Sequence, residues 1–312
     1  MDNLSPDRFP IEETSIRGFR QVFVRCGIGG VPLLLVHGWP ETKRIWWRVI
    51  DELCGAGFEV IAPDLRGFGD SELGPDGFND IPAHAADLYA LAHDYLGHDR
   101  IVVAGGDLGG PVVQELSTAY PEWVDRMILF NTPLPFLKEQ MKNLRTRPDA
   151  GALDYFIRQG TDADALGAEL STPELRAQYI SNFYTSRLWA YPGAFDEMAI
   201  NFMVEPFRDE SHLRASFGAY ESVFDVSKRS GVALFATQEN TMRTLLLFGT
   251  ADHVISPDFD LMSEIVFANR VGPLRLNQCG HFVQWEAHKE LAAQTIDFCS
   301  DLLNSDLLNQ KN

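Results

Sequence analysis

Four short, nearly continuous apolar runs constrain this chain more than any other feature. They are Leu33-Leu34-Leu35-Val36, Phe58-Glu59-Val60-Ile61-Ala62, Ile101-Val102-Val103-Ala104 and Met127-Ile128-Leu129-Phe130. Runs of this kind, rather than strict apolar–polar alternation, suit strands covered on both faces, as in a parallel sheet. Helical stretches lie between them. Residues 80–96 carry Leu88, Leu91, Ala92 and Tyr95 at helical spacing, and residues 109–120 form another such stretch. Strand–helix alternation predicts an α/β fold with a mostly parallel sheet flanked by helices. Pro32 is compatible with the first run because it sits at that strand's start. Residues 16–24 are expected to add antiparallel strands at one edge.

The pattern changes between Pro133 and Asn240, where no strong strand run occurs. Ser171-Thr172-Pro173-Glu174 combines an N-cap, an early proline and a capping-box glutamate. Residues 209–224 place Leu213, Phe217, Tyr220 and Phe224 on one helical stripe. The sheet resumes with Met242 to Phe248 and with Pro273 to Asn277, and a final helix is expected over 286–303. The chain thus divides into a core of residues 1–132 and 241–312 and a helical cap of residues 133–240, inserted after the sixth strand.

Composition narrows the partners. The net charge is −18 and no cluster of Lys and Arg occurs, which argues against nucleic acid and anionic membranes. No apolar run reaches membrane-spanning length. Cys26, Cys54, Cys279 and Cys299 are scattered, so neither a zinc knuckle nor a disulfide framework is expected. The first seven residues are polar and acidic, unlike a signal peptide. The expected setting is the reducing cytoplasm, with the chain a monomer or homodimer.

Chemistry concentrates at the ends of the expected strands. Gly105-Gly106-Asp107-Leu108-Gly109 has the G-x-nucleophile-x-G spacing of a sharp strand-to-helix turn. Asp107 there is either a nucleophile or a helix cap. In His37-Gly38-Trp39-Pro40, the Trp39 amide can join the Leu108 amide as an oxyanion hole. A tight turn around a packed tryptophan is the plain alternative. Asp252 follows one strand and His281 another, as an acid orienting a histidine base would. A turn aspartate and a histidine satisfied by loop backbone are the plain readings. The order nucleophile, acid, histidine, with each member after a strand, links these separate signals.

On these motifs the chain resembles the α/β-hydrolase superfamily over essentially its whole length, and within it the epoxide hydrolase branch. His37-Gly38-Trp39-Pro40 is similar to the HGxP loop of that branch, residues 64–71 to the loop after the next strand, and Gly280-His281-Phe282 to its histidine loop. The resemblance implies an α/β-hydrolase fold with Asp107 as nucleophile, Asp252 as acid and His281 as base. It also implies cap tyrosines that bind the epoxide oxygen. Tyr220 matches one, although Glu221 stands where the family often has Arg. Tyr155 is the candidate for the other, with Tyr179, Tyr184 and Tyr191 as fallbacks. His37, Trp39, Tyr155 and Tyr220 are thereby expected to contact substrate.

The residue type carries its own argument. A carboxylate is ionised at neutral pH and needs no base to attack. Attack on an ester would form a costly anhydride, whereas attack on saturated carbon forms an ordinary ester. Epoxides and alkyl halides are therefore favoured, and neither a metal nor an organic cofactor is required. Related dehalogenases place Trp or Arg after the nucleophile; this chain has Leu108. The expected reaction is opening of a small apolar epoxide to a vicinal diol. Halide displacement from haloalkanes or haloacids is the enzymatic alternative, and ligand binding by a hydrolase fold the non-enzymatic one.

Overall fold

The computed structural model describes residues 4–148 and 150–309. Met1 to Asn3, part of the segment read above as unlike a signal peptide, lie outside the described residues.

Eight strands form one sheet: β1 (Ile11–Ile16), β2 (Phe19–Cys26), β3 (Val31–Val36), β4 (Phe58–Pro63), β5 (Ile101–Gly106), β6 (Val124–Phe130), β7 (Thr244–Gly249) and β8 (Arg270–Leu276). Their spatial order is β1-β2-β4-β3-β5-β6-β7-β8. β1 and β2 are antiparallel to their neighbours, and the rest are parallel. The continuous apolar runs have the predicted consequence: every residue of β4, β5 and β7 is buried.

The helices of the core are α1 (Ile50–Gly55), α2 (Ile81–Tyr89) and α3 (Gly109–Ala119). Between β6 and β7 lie α4 (Asp154–Thr161), α5 (Ala163–Glu169), α6 (Pro173–Thr185), α7 (Glu197–Val204), α8 (Glu210–Ser216) and α9 (Gly218–Phe224). The core then closes with α10 (Phe259–Val266), α11 (Val283–Glu286), α12 (His288–Phe298) and α13 (Ser300–Asn309). Thr172 caps α6 as its sequence implies, its side chain accepting from Leu175 N–H at 3.2 Å. Among the described residues no helix is long and apolar enough to cross a membrane.

Several boundaries differ from expectation for physical reasons. α2 does not run on as a regular helix but widens into a π-type turn over Ala90–Tyr95, where Leu96 N–H reaches back to Leu91 O. The wider turn rotates the stripe, so Leu88, Leu91 and Ala92 stay buried while Tyr95 faces solvent. The single helix expected over 209–224 breaks at Phe217 into α8 and α9. The break keeps Leu213, Phe217 and Tyr220 buried and leaves Phe224 exposed. The expected final helix is three shorter ones. The cysteine reading is also corrected: Cys26 and Cys54 form a disulfide, while Cys279 and Cys299 are free and buried. The end of β2 pairs with β4, and α1 leads directly into β4, so pairing across the sheet brings the two cysteines together despite their sequence separation of 28.

Register fixes what the sheet presents. Val36 lies beside Gly105, Gly106 beside Phe130, Phe130 beside Leu247, and Gly249 beside Leu276. The segments beginning at His37, Asp107, Asn131, Thr250 and Asn277 therefore emerge along one edge. β3 and β5 are neighbours although β4 separates them in sequence, so the strand order reverses there and opens a crevice. α3 packs against this point without a side chain at its first residue. A Cβ on Gly109 would lie 2.2 Å from Val36 O and 2.8 Å from His37 O. Gly109→Ala is expected to cost about 1–3 kcal/mol in urea unfolding. Gly55→Ala meets nothing within 4 Å and is expected to be neutral or slightly stabilising.

Candidate active site

The turn after β5 holds Asp107 in the left-handed region, at φ 43°. A non-glycine residue there is strained and persists only where its surroundings fix it. Asp107 N–H donates to Asn131 O at 3.0 Å, and Thr132 Oγ1 donates to Asp107 O at 2.8 Å. Gly38 allows the β3 loop to come close: a Cβ on it would fall 2.5 Å from Asp107 Cβ. The helix-cap reading does not hold, because α3 has no side-chain cap and the Asp107 carboxylate faces other partners.

Those partners differ at its two oxygens. Trp39 N–H donates to Oδ1 at 2.6 Å. His281 Nε2 lies 3.1 Å from Oδ2, and its Nδ1 lies 2.7 Å from Asp252 Oδ2. His281 is buried at 2% exposure. Burial alone would lower its proton affinity, but the Asp252 and Asp107 carboxylates outweigh it and hold the imidazole well above its ordinary range. Asp252 is itself fixed, with Val254 N–H donating to Oδ1 at 2.6 Å. Asn131 Nδ2 donates to Asp252 Oδ2 at 2.8 Å and to Gly280 O at 2.9 Å, while its Oδ1 accepts from Gly249 N–H at 2.8 Å. One amide thus spans the aspartate and histidine loops.

Of the expected site residues, the structure brings together Asp107, Asp252, His281, Trp39, Tyr155 and Tyr220, with Leu108 beside Asp107 at the start of α3. His37 is the exception. Its Nδ1 lies 2.8 Å from Gly38 O, and its Nε2 accepts from Leu65 N–H at 3.0 Å. Burial lowers its pKa to about 4, so it is a neutral ring tying two loops together. With both nitrogens committed to backbone, it has none for a ligand, and its expected substrate contact is corrected.

An aromatic roof covers the carboxylate. Trp39 stacks on Tyr155 with centroids 5.5 Å apart and meets Phe183 and Tyr220 edge-on at 4.7 and 5.8 Å. Tyr155 and Tyr220 pack edge-on against each other with centroids 5.9 Å apart. Burial first, and the Asp107 charge second, raise both phenols well above their ordinary range, which keeps them protonated. Of the fallback tyrosines, Tyr184 OH donates to Pro40 O, whereas Tyr179 joins the roof, its ring centroid 6.4 Å from that of Trp39 and its OH accepting from Gln159 at 2.9 Å.

Two residues in this constellation escaped sequence reasoning. Asn131 was detectable in principle, because it follows β6 at the same level as Asp107 follows β5. Glu41 had no pattern to mark it. It is 1% exposed, accepting from Gly38 N–H at 2.6 Å and from Gln284 Nε2 at 2.7 Å. Burial, reinforced by Asp107, pushes its carboxyl up to about 8. Among the described residues no group of three or more His, Cys, Asp or Glu is arranged to hold a metal ion.

Comparisons with known proteins identify the family and the fold. Residues 31–288 match the family described as the alpha/beta hydrolase fold. The chain is 40% identical to a soluble epoxide hydrolase of Corynebacterium sp. (strain C12), over 93% of this chain and 97% of that protein. Among solved structures it is similar to the ligand-free epoxide hydrolase CorEH, with a TM-score of 0.80 and 26% identity, covering 94% of this chain and all of that one. The juvenile hormone epoxide hydrolase of the silkworm Bombyx mori shares the fold, with a TM-score of 0.76 at 20% identity, over 95% of this chain and 77% of that one.

Glu41 yields a signed pH prediction. Its pKa rises from 4.5 unfolded to about 8 folded. Between those values the folded chain binds the extra proton, so stability falls as pH rises through the window. Glu41→Gln removes this slope. Its stability relative to the parent is expected to be constant below pH 4.5 and to grow toward about 8, by at most about 1.4 kcal/mol per pH unit. Urea titrations across the window check this, and parallel pH slopes would refute it.

Proposed function

The chain belongs to the alpha/beta hydrolase family, and from that premise we propose that it opens epoxides to vicinal diols through an ester on Asp107. The observation that carries the reading is the division of labour at the Asp107 carboxylate: a backbone amide holds Oδ1, and Oδ2 faces His281 beneath two protonated tyrosines.

Asp107 Oδ2 attacks an epoxide carbon, and the C–O bond to the ring oxygen breaks. Tyr155 and Tyr220 bind that oxygen and supply its proton, because an alkoxide is too basic to leave bare. Esterification removes the charge of Asp107 and with it one of the two carboxylates that raise the His281 pKa. The imidazole then passes its proton to the tyrosinate and becomes a base. It takes a proton from water as the oxygen adds to Cγ. The oxyanion forms on Oδ1, where the Trp39 amide already donates and where Leu108 N–H is proposed to join it. Collapse expels the second diol oxygen, which takes the proton from His281. The Asp107 acid then returns its proton to the imidazole, and the resting site is restored with one water consumed.

Halide displacement has less support. A leaving halide wants N–H donors, yet the Trp39 indole N–H is already donated to Ser216 Oγ at 3.0 Å, and Leu108 offers no side-chain donor. The roof of Trp39, Tyr155 and Phe183 suits an apolar substrate. Residues 133–240 are proposed as the cap, which contributes Tyr155 and Phe183 to this roof, with the remainder as the core, which contributes Trp39. The net charge of −18 disfavours nucleic acid and anionic membranes as partners. A monomeric or homodimeric state completes the proposal, and the Cys26–Cys54 disulfide removes the ground for expecting a reducing cytoplasm.

Styrene oxide and 1-bromobutane separate the two chemistries. Diol without bromide is expected, and bromide without diol would overturn the reading. In ¹⁸O-water, a single turnover should place label in the Asp107 peptide and not in the first diol, and the reverse would exclude a covalent ester. Replacement of one tyrosine, Tyr220→Phe, should slow ester formation about 10-fold. The Tyr155→Phe, Tyr220→Phe pair should slow it by more than about 100-fold. Rapid-quench mass spectrometry measures both, and an unchanged double variant would exclude the tyrosines as proton donors.

A further inference from the structure

A carboxylate that the reaction does not use lies beneath the histidine loop. Glu286, the last residue of α11, accepts three backbone N–H groups. Gly280 donates to Oε2 at 2.7 Å, Tyr191 to Oε2 at 3.0 Å, and Phe282 to Oε1 at 3.1 Å. Gly280 and Phe282 flank the candidate base. Tyr191 belongs to a different region, the irregular strap of residues 186–195 between α6 and α7.

The strap reaches the same loop by a second route. His281 N–H donates to Trp189 O at 2.6 Å. The three consecutive amides 280, 281 and 282 are therefore all claimed, two by Glu286 and one by the strap, and Glu286 also holds the strap. These bonds close a ring: Glu286 to Tyr191, along the strap to Trp189, across to His281, and back through its neighbours to Glu286. The Trp189 ring stands edge-on to the His281 imidazole at 4.7 Å and to Tyr155 at 5.0 Å. The approach is close enough that a Cβ on Gly280 would lie 2.3 Å from Trp189 O. A further bond, His253 N–H to Leu188 O at 3.0 Å, joins the strap to the loop carrying Asp252.

We propose that Glu286 is a positioning residue for the hydrolytic step, locking the strap that bears Trp189 to the loop that bears His281. This rests on the reading of Asp107 as nucleophile and His281 as base. His281 must meet Asp252 and the reacting centre at once, and displacement of about 1 Å is enough to cost catalysis heavily. Ester formation needs the Asp107 carboxylate and the tyrosines but no base. Ester hydrolysis needs the base. A fault in the Glu286 ring therefore falls mainly on the second step. Burial holds the Glu286 carboxyl above its ordinary value in spite of the three amides, so mild acid should weaken the lock before it protonates an exposed glutamate.

The test compares Glu286→Gln, which keeps one acceptor oxygen, with Glu286→Ala, which keeps none. Single turnovers of styrene oxide are followed by intact mass, with His281→Gln as the reference that traps the ester. In Glu286→Gln, ester formation should stay within about 3-fold of the parent. Its hydrolysis should slow about 10-fold or more, so that the ester accumulates, and Glu286→Ala should be slower still. Hydrogen exchange should rise together in peptides covering 186–192 and 279–283. Equal slowing of both steps, or unchanged exchange in either peptide, would overturn the proposal. If His281→Gln itself traps no ester, the covalent reading fails. The exchange result then decides alone whether Glu286 locks the two segments, and the hydrolytic role is withdrawn.

Discussion

A buried carboxylate with a different partner on each oxygen is the constraint on which the rest of this structure depends. Burying a charge is expensive unless hydrogen bonds and an opposite charge offset the loss of water. Asp107 is 8% exposed and meets both needs, with the Trp39 amide on Oδ1 and the His281 imidazole on Oδ2. Each partner then needs its own support. The β3 loop must approach close enough for an amide to donate, so Gly38 carries no side chain. His281 must be held from behind, which Asp252 does, and Asp252 in turn leans on Asn131. The strained backbone at Asp107 is the local cost of presenting the carboxylate at the strand end.

The helical segment between β6 and β7 is fastened to this centre at several points rather than merely lying above it. Ser216 accepts from the Trp39 indole, Tyr184 donates to Pro40 O, and the 186–195 strap shares hydrogen bonds with the loops of His281 and Asp252. The groups nearest the carboxylate thus come from both regions. Neither the tyrosine pair nor the histidine can shift without moving residues on the other side. Such coupling suits the proposed mechanism, in which water is kept from the ester until one molecule is activated.

The strands were legible because a sheet buried on both faces demands uninterrupted apolar residues, and those runs appear directly in the chain. The helices were less so at their ends. The widening at Ala90–Tyr95 and the break at Phe217 depend on what the helices pack against, which periodicity does not carry. Tyr155 was placed correctly in region, yet its packing against Tyr220 required α4 and α9 to meet. His37 was misread because its motif describes a loop and not the direction of its ring. The Cys26–Cys54 bond was unreadable because it follows from strand pairing and not from spacing.

By itself the sequence determined the sheet, the segment without strands, and the succession of Asp107, Asp252 and His281 after three separate strands. Local pattern and chain order suffice for these, since strand burial and sharp turns impose residue types on the chain directly. Only the tertiary structure decided how Asn131, Glu41 and Glu286 take part. Their roles arise from contacts between segments far apart in sequence: Asn131 with the loops after β7 and β8, Glu41 with Gln284, and Glu286 with Tyr191. A carboxylate or amide gains such a role from the donors and the low dielectric that surround it, and those exist only once the chain has folded.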